Sequence, residues 1–153
     1  MKPRWHLLLG FIFSYILVYF FHFSFISGGI IFLSSFLIDT DHYFWYVFSF
    51  KDLNPINALR WYYKNLNKWR SMDEKERLKF QKGVFIFHSL PLIIILGLLS
   101  PINKIFLSLF LGISIHLVAD LIALVYYHEP LYIKLFPSLV IIKNQGKKSL
   151  KEF

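Results

Sequence analysis

The stretch IFLSLFLGISIHLVADLIALVYY, residues 105–127, carries only two side chains that ionise near neutral pH, His116 and Asp120. An apolar run of about 18 residues or more is long enough, as a helix, to cross a hydrocarbon core of roughly 30 Å. Three further runs read the same way: 7–25 (LLLGFIFSYILVYFFHFSF), 30–48 (IIFLSSFLIDTDHYFWYVF) and 83–99 (GVFIFHSLPLIIILGLL). SGG at 27–29 and SPINK at 100–104 are expected to be tight turns between them. The chain is therefore expected to be a single all-α polytopic membrane domain over 1–153, with about four transmembrane helices. A cytoplasmic amphipathic helical segment over 51–82 and a cytoplasmic tail over 129–153 complete it.

Composition points the same way. Of 153 residues, 56% are hydrophobic, 20% aromatic and only 17% charged, and the charges are clustered. Without cysteine, neither disulfides nor thiolate metal sites are available. The formal charge of +8 does not indicate nucleic acid, because of where the basic residues fall. With four spans, all of the 17 Lys and Arg except Lys104 lie on one side, and positive loops stay cytoplasmic. Both termini are thus expected in the cytoplasm of a multi-pass cell-membrane protein. The first run has a basic start but no small-residue cleavage site after it, so it reads as a retained anchor.

Segment 51–82 has helix signals of its own. Asn54-Pro55 suits an N-cap with proline in the first turn, and Ile56, Leu59, Tyr63 and Leu66 share a helical face. SMDE at 71–74 reads as a capping box for another helix. Basic residues interleaved with Trp61, Tyr62, Tyr63 and Trp69 suit either an interfacial helix on anionic lipid headgroups or a plain positive-inside loop.

The polar residues within the apolar runs carry the functional signal. Asp39, Asp41 and His42 lie in the second, His88 in the third, His116 and Asp120 in the fourth, and His6 at the mouth of the first. Each aspartate at mid-bilayer costs about 2.5–3.5 kcal/mol. Three together approach roughly 8–10 kcal/mol, comparable to the whole stability of an ordinary domain, about 5–15 kcal/mol. A divalent cation would offset that cost. At about 1.5 Å per residue, the groups from oppositely directed helices fall in one cytoplasmic-side slab. His116 and Asp120 at i,i+4 share a face, as do Asp39 and His42 at i,i+3. In a regular helix Asp41 points elsewhere, to a second ion or to a histidine that it orients. Imidazole and carboxylate donors suit Zn, Mn, Fe or Ni. A lone intramembrane histidine more often makes a helix-to-helix hydrogen bond; His22, on the outer side, is assigned that role, and His128 is assigned to the interface.

WHLLLG, LIDTDH, FHS and HLVAD, in this order on successive runs, resemble the membrane-bound metal-dependent hydrolase family of the YdjM type. The resemblance covers residues 6–125. It implies metal-related roles for His6, Asp39, Asp41, His42, His88, His116 and Asp120, with Ser89 beside the site. Two positions depart from the family pattern: Ile38 stands where a turn-former is common, and Lys79 or Lys82 is the nearest basic residue where an arginine precedes the His-Ser pair.

The expected function is a hydrolase using one or two divalent ions on a phosphoester of a lipid or amphipathic substrate at the cytoplasmic leaflet. Membrane lipid is the partner, and the oligomeric state is left open. Asp41 or Asp39 would serve as general base, and Lys82 would stabilise the leaving group. The alternatives are a metal-ion or proton-coupled transporter and a structural membrane protein whose polar residues only knit helices together. A transport path needs polar groups at several depths, whereas the outer half offers little beyond His22, Ser24 and Ser108.

Overall fold

The computed structural model describes residues 3–149; Lys2 and positions 150–153 of the basic tail lie outside the described residues. Among them, every regular element is helical: α1 (Pro3–Phe21), α2 (Phe25–Leu37), α3 (Thr40–Phe50), α4 (Pro55–Ser71), α5 (Glu74–Arg77), α6 (Leu90–Leu99), α7 (Lys104–Tyr126), α8 (Tyr132–Leu135) and α9 (Pro137–Lys143). Two of these, α1 and α7, are long and apolar enough to cross a membrane, by length and composition. Only 17% of the apolar window of α1 and 33% of that of α7 is buried in the protein. Their side chains, among them Phe11, Tyr15, Phe20, Ile122 and Val125, are mostly exposed.

The turn expected at 27–29 is not there: Ser27, Gly28 and Gly29 lie inside α2, and the break after α1 falls at 22–24. The runs 30–48 and 83–99 are not single helices. Asp39 N bonds Phe36 O at 3.1 Å, Asp41 N bonds Ile38 O at 3.3 Å, and His42 N bonds Asp39 O at 3.1 Å. These i→i−3 bonds tighten the chain into a turn and separate α2 from α3. In the third run the helix starts only at Leu90, because Ser89 caps it by accepting from Leu92 N and Pro91 lies in its first turn. Residues 83–89 are non-helical.

The signals in 51–82 resolve differently at each end. Asn54 caps α4, its Oδ1 accepting from Ile56 N at 2.9 Å, with Pro55 in the first turn. Ser71, in contrast, still belongs to α4, and Asp73 caps α5 by accepting from Glu76 N at 2.7 Å. Ile56, Leu59 and Tyr63 face outward; Ala58, Tyr62 and Trp69 face the fold.

α2 lies between α1 and α7, and small residues let it approach both. A Cβ at Gly10 would collide with the Ser35 side chain, and one at Gly112 with Ser34 Oγ and Ile31 O. Gly and Ser at a crossing let two helix backbones approach closely. Ile31 and Ser35 are consequently sealed from solvent. His6 of α1, Ser35 of α2, His88 ahead of α6 and His116 of α7 meet at one end of the fold, where His42 of α3, Tyr62 of α4 and Lys134 of α8 also gather.

Candidate metal centre

At that end the buried histidines are held by specific acceptors. His116 Nδ1 lies 2.6 Å from the Ser35 carbonyl oxygen, to which only a donor can bond. In its neutral form the ring therefore carries its hydrogen on Nδ1 and keeps a lone pair on Nε2. His88 repeats the arrangement: its Nδ1 donates to Asp41 Oδ2 at 3.0 Å. The two Nε2 atoms then face one another at 2.9 Å. Two opposed lone pairs at that distance repel, and a cation or proton between them removes the repulsion.

Carboxylates complete the surround. Asp39 Oδ1 stands 3.3 Å from His88 Nε2 and 3.6 Å from His116 Nε2. Asp120 Oδ2 stands 3.7 and 3.5 Å from the same atoms. Donors around a tetrahedral ion at about 2.0–2.2 Å are separated by roughly 3.3–3.6 Å. The carboxylate edges bracket this range, and the His–His edge is somewhat tighter. Three overlapping groups could hold a metal ion: His6, Asp39 and His116; Asp39, His42 and His88; and His88, His116 and Asp120. Within each, the ligand atoms lie within 4.8 Å of one another.

His6 stacks on His116, with ring centroids 3.8 Å apart and planes 17° apart. Its Nε2 is 3.2 Å from Asp120 Oδ1, yet neither ring nitrogen has a hydrogen-bond partner in good geometry. Buried donors and acceptors left in this state are rare and call for a ligand or ion. His42 turns Nδ1 toward Asp41 Oδ1 at 3.1 Å and Asp39 Oδ1 at 3.6 Å, and its ring stacks on Phe85 at 4.0 Å.

The seven expected metal residues thus converge, and of the two roles open to Asp41 the geometry fits the orienting one. Asp41 belongs to none of the three ligand groups. The turn at 38–39 swings it inward, where it accepts from His88 and, at 3.2 Å, from Phe87 N. With both oxygens engaged it is an orienting group and a poor general base. Ser89 is buried as the cap of α6. Lys82 is likewise displaced from the assignment made for it: it bonds Glu129 Oε2 at 2.8 Å and lies over Trp69 at 3.9 Å. Asn144 brackets its backbone, accepting from Lys82 N and donating to Lys82 O, both at 2.8 Å. Burial pushes the Lys82 ammonium pKa down, an effect Glu129 partly offsets.

The cation at the centre is Lys134 of α8, with Nζ 2.9 Å from Asp120 Oδ2 and 3.4 Å from His42 Nε2. Its only sequence signal was a single lysine within the apolar run 131–142. Glu129 was also overlooked; its Oε1 accepts from Trp69 Nε1 and Arg77 Nη1, each at 2.8 Å. His22 and His128 belong to none of the three ligand groups; they follow α1 and α7, with φ of 56° and 54°.

Two cavities adjoin the centre. A groove of about 580 Å³ between α3 and α4 is lined by Trp45, Trp61, Tyr62 and Phe85 and reaches Asp39 and His42. Burial first, then the charges of Asp39 and Asp120, push the Tyr62 phenol pKa up, so it stays protonated. A smaller cavity of about 220 Å³ reaches Asp120 and Lys134. No protein-family model matches the chain, and neither a curated protein nor a solved structure matches it.

Proposed function

We propose that this chain is a multi-pass membrane protein and a metal-dependent hydrolase that cleaves a phosphoester of an amphipathic substrate at the cytoplasmic leaflet. The observation that carries the metal is the pair of facing Nε2 atoms of His88 and His116 at 2.9 Å, each ring fixed through Nδ1 and both flanked by Asp39 and Asp120. The donors are imidazole and carboxylate, which suit Zn or Mn. Membership of the YdjM-type family is part of the same proposal, since its motif positions are the ones that converge.

For the membrane, support comes from the large apolar side chains that α1 and α7 leave exposed, since contiguous exposed apolar surface marks a membrane or partner contact. The broken run at 38–39 and the non-helical 83–89 suit crossings two and three, because irregular backbone at membrane depth is tolerated where it lines a site.

A divalent ion bound there supplies hydroxide near neutral pH and Lewis acidity toward a phosphoryl oxygen. The chain's own residues set the rest. Ser35 O and Asp41 fix the two imidazoles. Lys134 holds a positive charge against the centre, where a leaving oxygen develops negative charge. The aromatic groove takes the apolar part of the substrate and keeps bulk water from it.

Elemental analysis of the detergent-purified protein tests the reading. Near-stoichiometric metal is expected, falling to background in the Asp39→Ala/His116→Ala double variant, together with phosphate release from lipid phosphates. Metal content equal in the two proteins would sink it. Metal without turnover on any lipid phosphate would shift the assignment to transport.

A further inference from the structure

The smaller cavity has a charge pattern that the metal centre does not require. It is lined by Arg70, Arg77, Lys82 and Lys134, set against the carboxylates of Glu129 and Asp120. Four cations and two anions line that space, a formal excess of two positive charges. Glu129 is already saturated: Trp69, Arg77 and Lys82 donate to its two oxygens, each at 2.8 Å. Beyond those bonds, Arg70 Nε and Arg77 Nε are buried with no hydrogen-bond partner. Buried guanidinium donors of this kind call for an acceptor rich in oxygen and negative charge.

We propose that this cavity binds the phosphate of a phosphomonoester amphiphile, with the apolar part of the same molecule running into the aromatic groove. The assignment rests on the hydrolase reading above and narrows its substrate class. A phosphomonoester carries about −1.5 to −2 charges at pH 7, which matches the local excess; a phosphodiester carries one. The cavity contacts the centre through Asp120 and Lys134, so an anion in it lies beside the ligands. Leu66, Trp69, Gly83 and Phe85 line both cavities, so the two spaces adjoin and a head in one lies next to a tail in the other. Lys82 sits at 3.9 Å over Trp69, so binding there should change tryptophan emission.

The test uses the full chain in neutral detergent micelles, titrated with phosphatidic acid, phosphatidylcholine and inorganic phosphate, with tryptophan fluorescence and calorimetry as readouts. Phosphatidic acid is expected to bind at least about 10-fold more tightly than phosphatidylcholine, and Arg70→Gln to remove about 10-fold of that affinity, as loss of one charge-assisted bond implies. Arg70→Lys should recover part of the loss, and Arg60→Gln, on the exposed side of α4, should change nothing. Unchanged metal content reports that the variants fold. Phosphatidic acid binding more tightly than inorganic phosphate assigns the site to a lipid headgroup; equal binding overturns the amphiphile. Binding indifferent to Arg70, or no preference over phosphatidylcholine, overturns the site. If the wild type lacks metal but binds phosphatidic acid through Arg70, the hydrolase reading falls and this site stands. If metal is present and Arg70 is immaterial, only this site falls.

Discussion

Asp41 binds no metal in the arrangement described, yet its carboxylate accepts from His88 Nδ1 at 3.0 Å and Phe87 N at 3.2 Å. It fixes which nitrogen of His88 is free and where that nitrogen points. Asp41→Asn keeps the shape but offers an amide whose NH₂ can meet the ring in the wrong sense. The expected result is about a 10- to 100-fold loss of metal affinity, with metal still bound at saturation, read by competition with a chromogenic chelator. An affinity equal to wild type would make Asp41 a packing group. Residue types and spacings were legible at this scale: His116 and Asp120 at i,i+4 do share one face, with His116 Nε2 3.5 Å from Asp120 Oδ2. The direction of Asp41 was not, because it depends on a turn at Ile38–Asp39 that has apolar residues before it and no Pro or Gly to announce it.

Among the elements, the end of α7 depends on Glu129. The left-handed His128 reverses the chain there, and Glu129 N bonds Leu124 O at 2.8 Å. The returning carboxylate gathers α4, α5 and the lead-in to α6 through Trp69, Arg77 and Lys82. Its side chain is 9% exposed and those of Arg77 and Lys82 12% and 6%, so removing it strands two buried cations. Glu129→Ala should destabilise the protein by about 3–5 kcal/mol, whereas Glu76→Ala on exposed α5 should stay within about 0.5 kcal/mol; thermal unfolding in detergent compares them. The caps of α4 could be read locally because Asn54 and Pro55 act within one turn. Glu129 and Lys134 could not, since their partners are distant in the chain: Lys134 meets His42 across 92 positions. Periodicity reports a face, not the element that covers it.

For the whole molecule, the crossing number decides where the centre lies. The chain contains no cysteine, so single cysteines report topology without background. In sealed vesicles, cysteines replacing Ile102, in the exposed turn before α7, and Asn67, on the outer side of α4, should react with impermeant maleimide from opposite sides. Same-side labelling would remove the third crossing and, with it, the four-span arrangement. Composition made the helical class legible, and the absence of strands among the described residues agrees with it. The number of crossings was harder to read, because a hydropathy run does not distinguish a through-going helix from a half-helix preceded by extended chain.

The close packing of His6 on His116 has a consequence for biogenesis. The first of these rings leaves the ribosome long before the second, and Asp39 and Asp41 follow it with only the neighbouring His42 to meet them. Until α7 is synthesised, these acids and imidazoles have neither the Ser35–His116 latch nor a full ligand shell. On the proposed membrane and metal reading, the insertion machinery would have to shelter the early hairpin near water, and ion loading would be a closing step of maturation. A nascent chain arrested before α7 should accordingly be a target for membrane quality-control proteolysis.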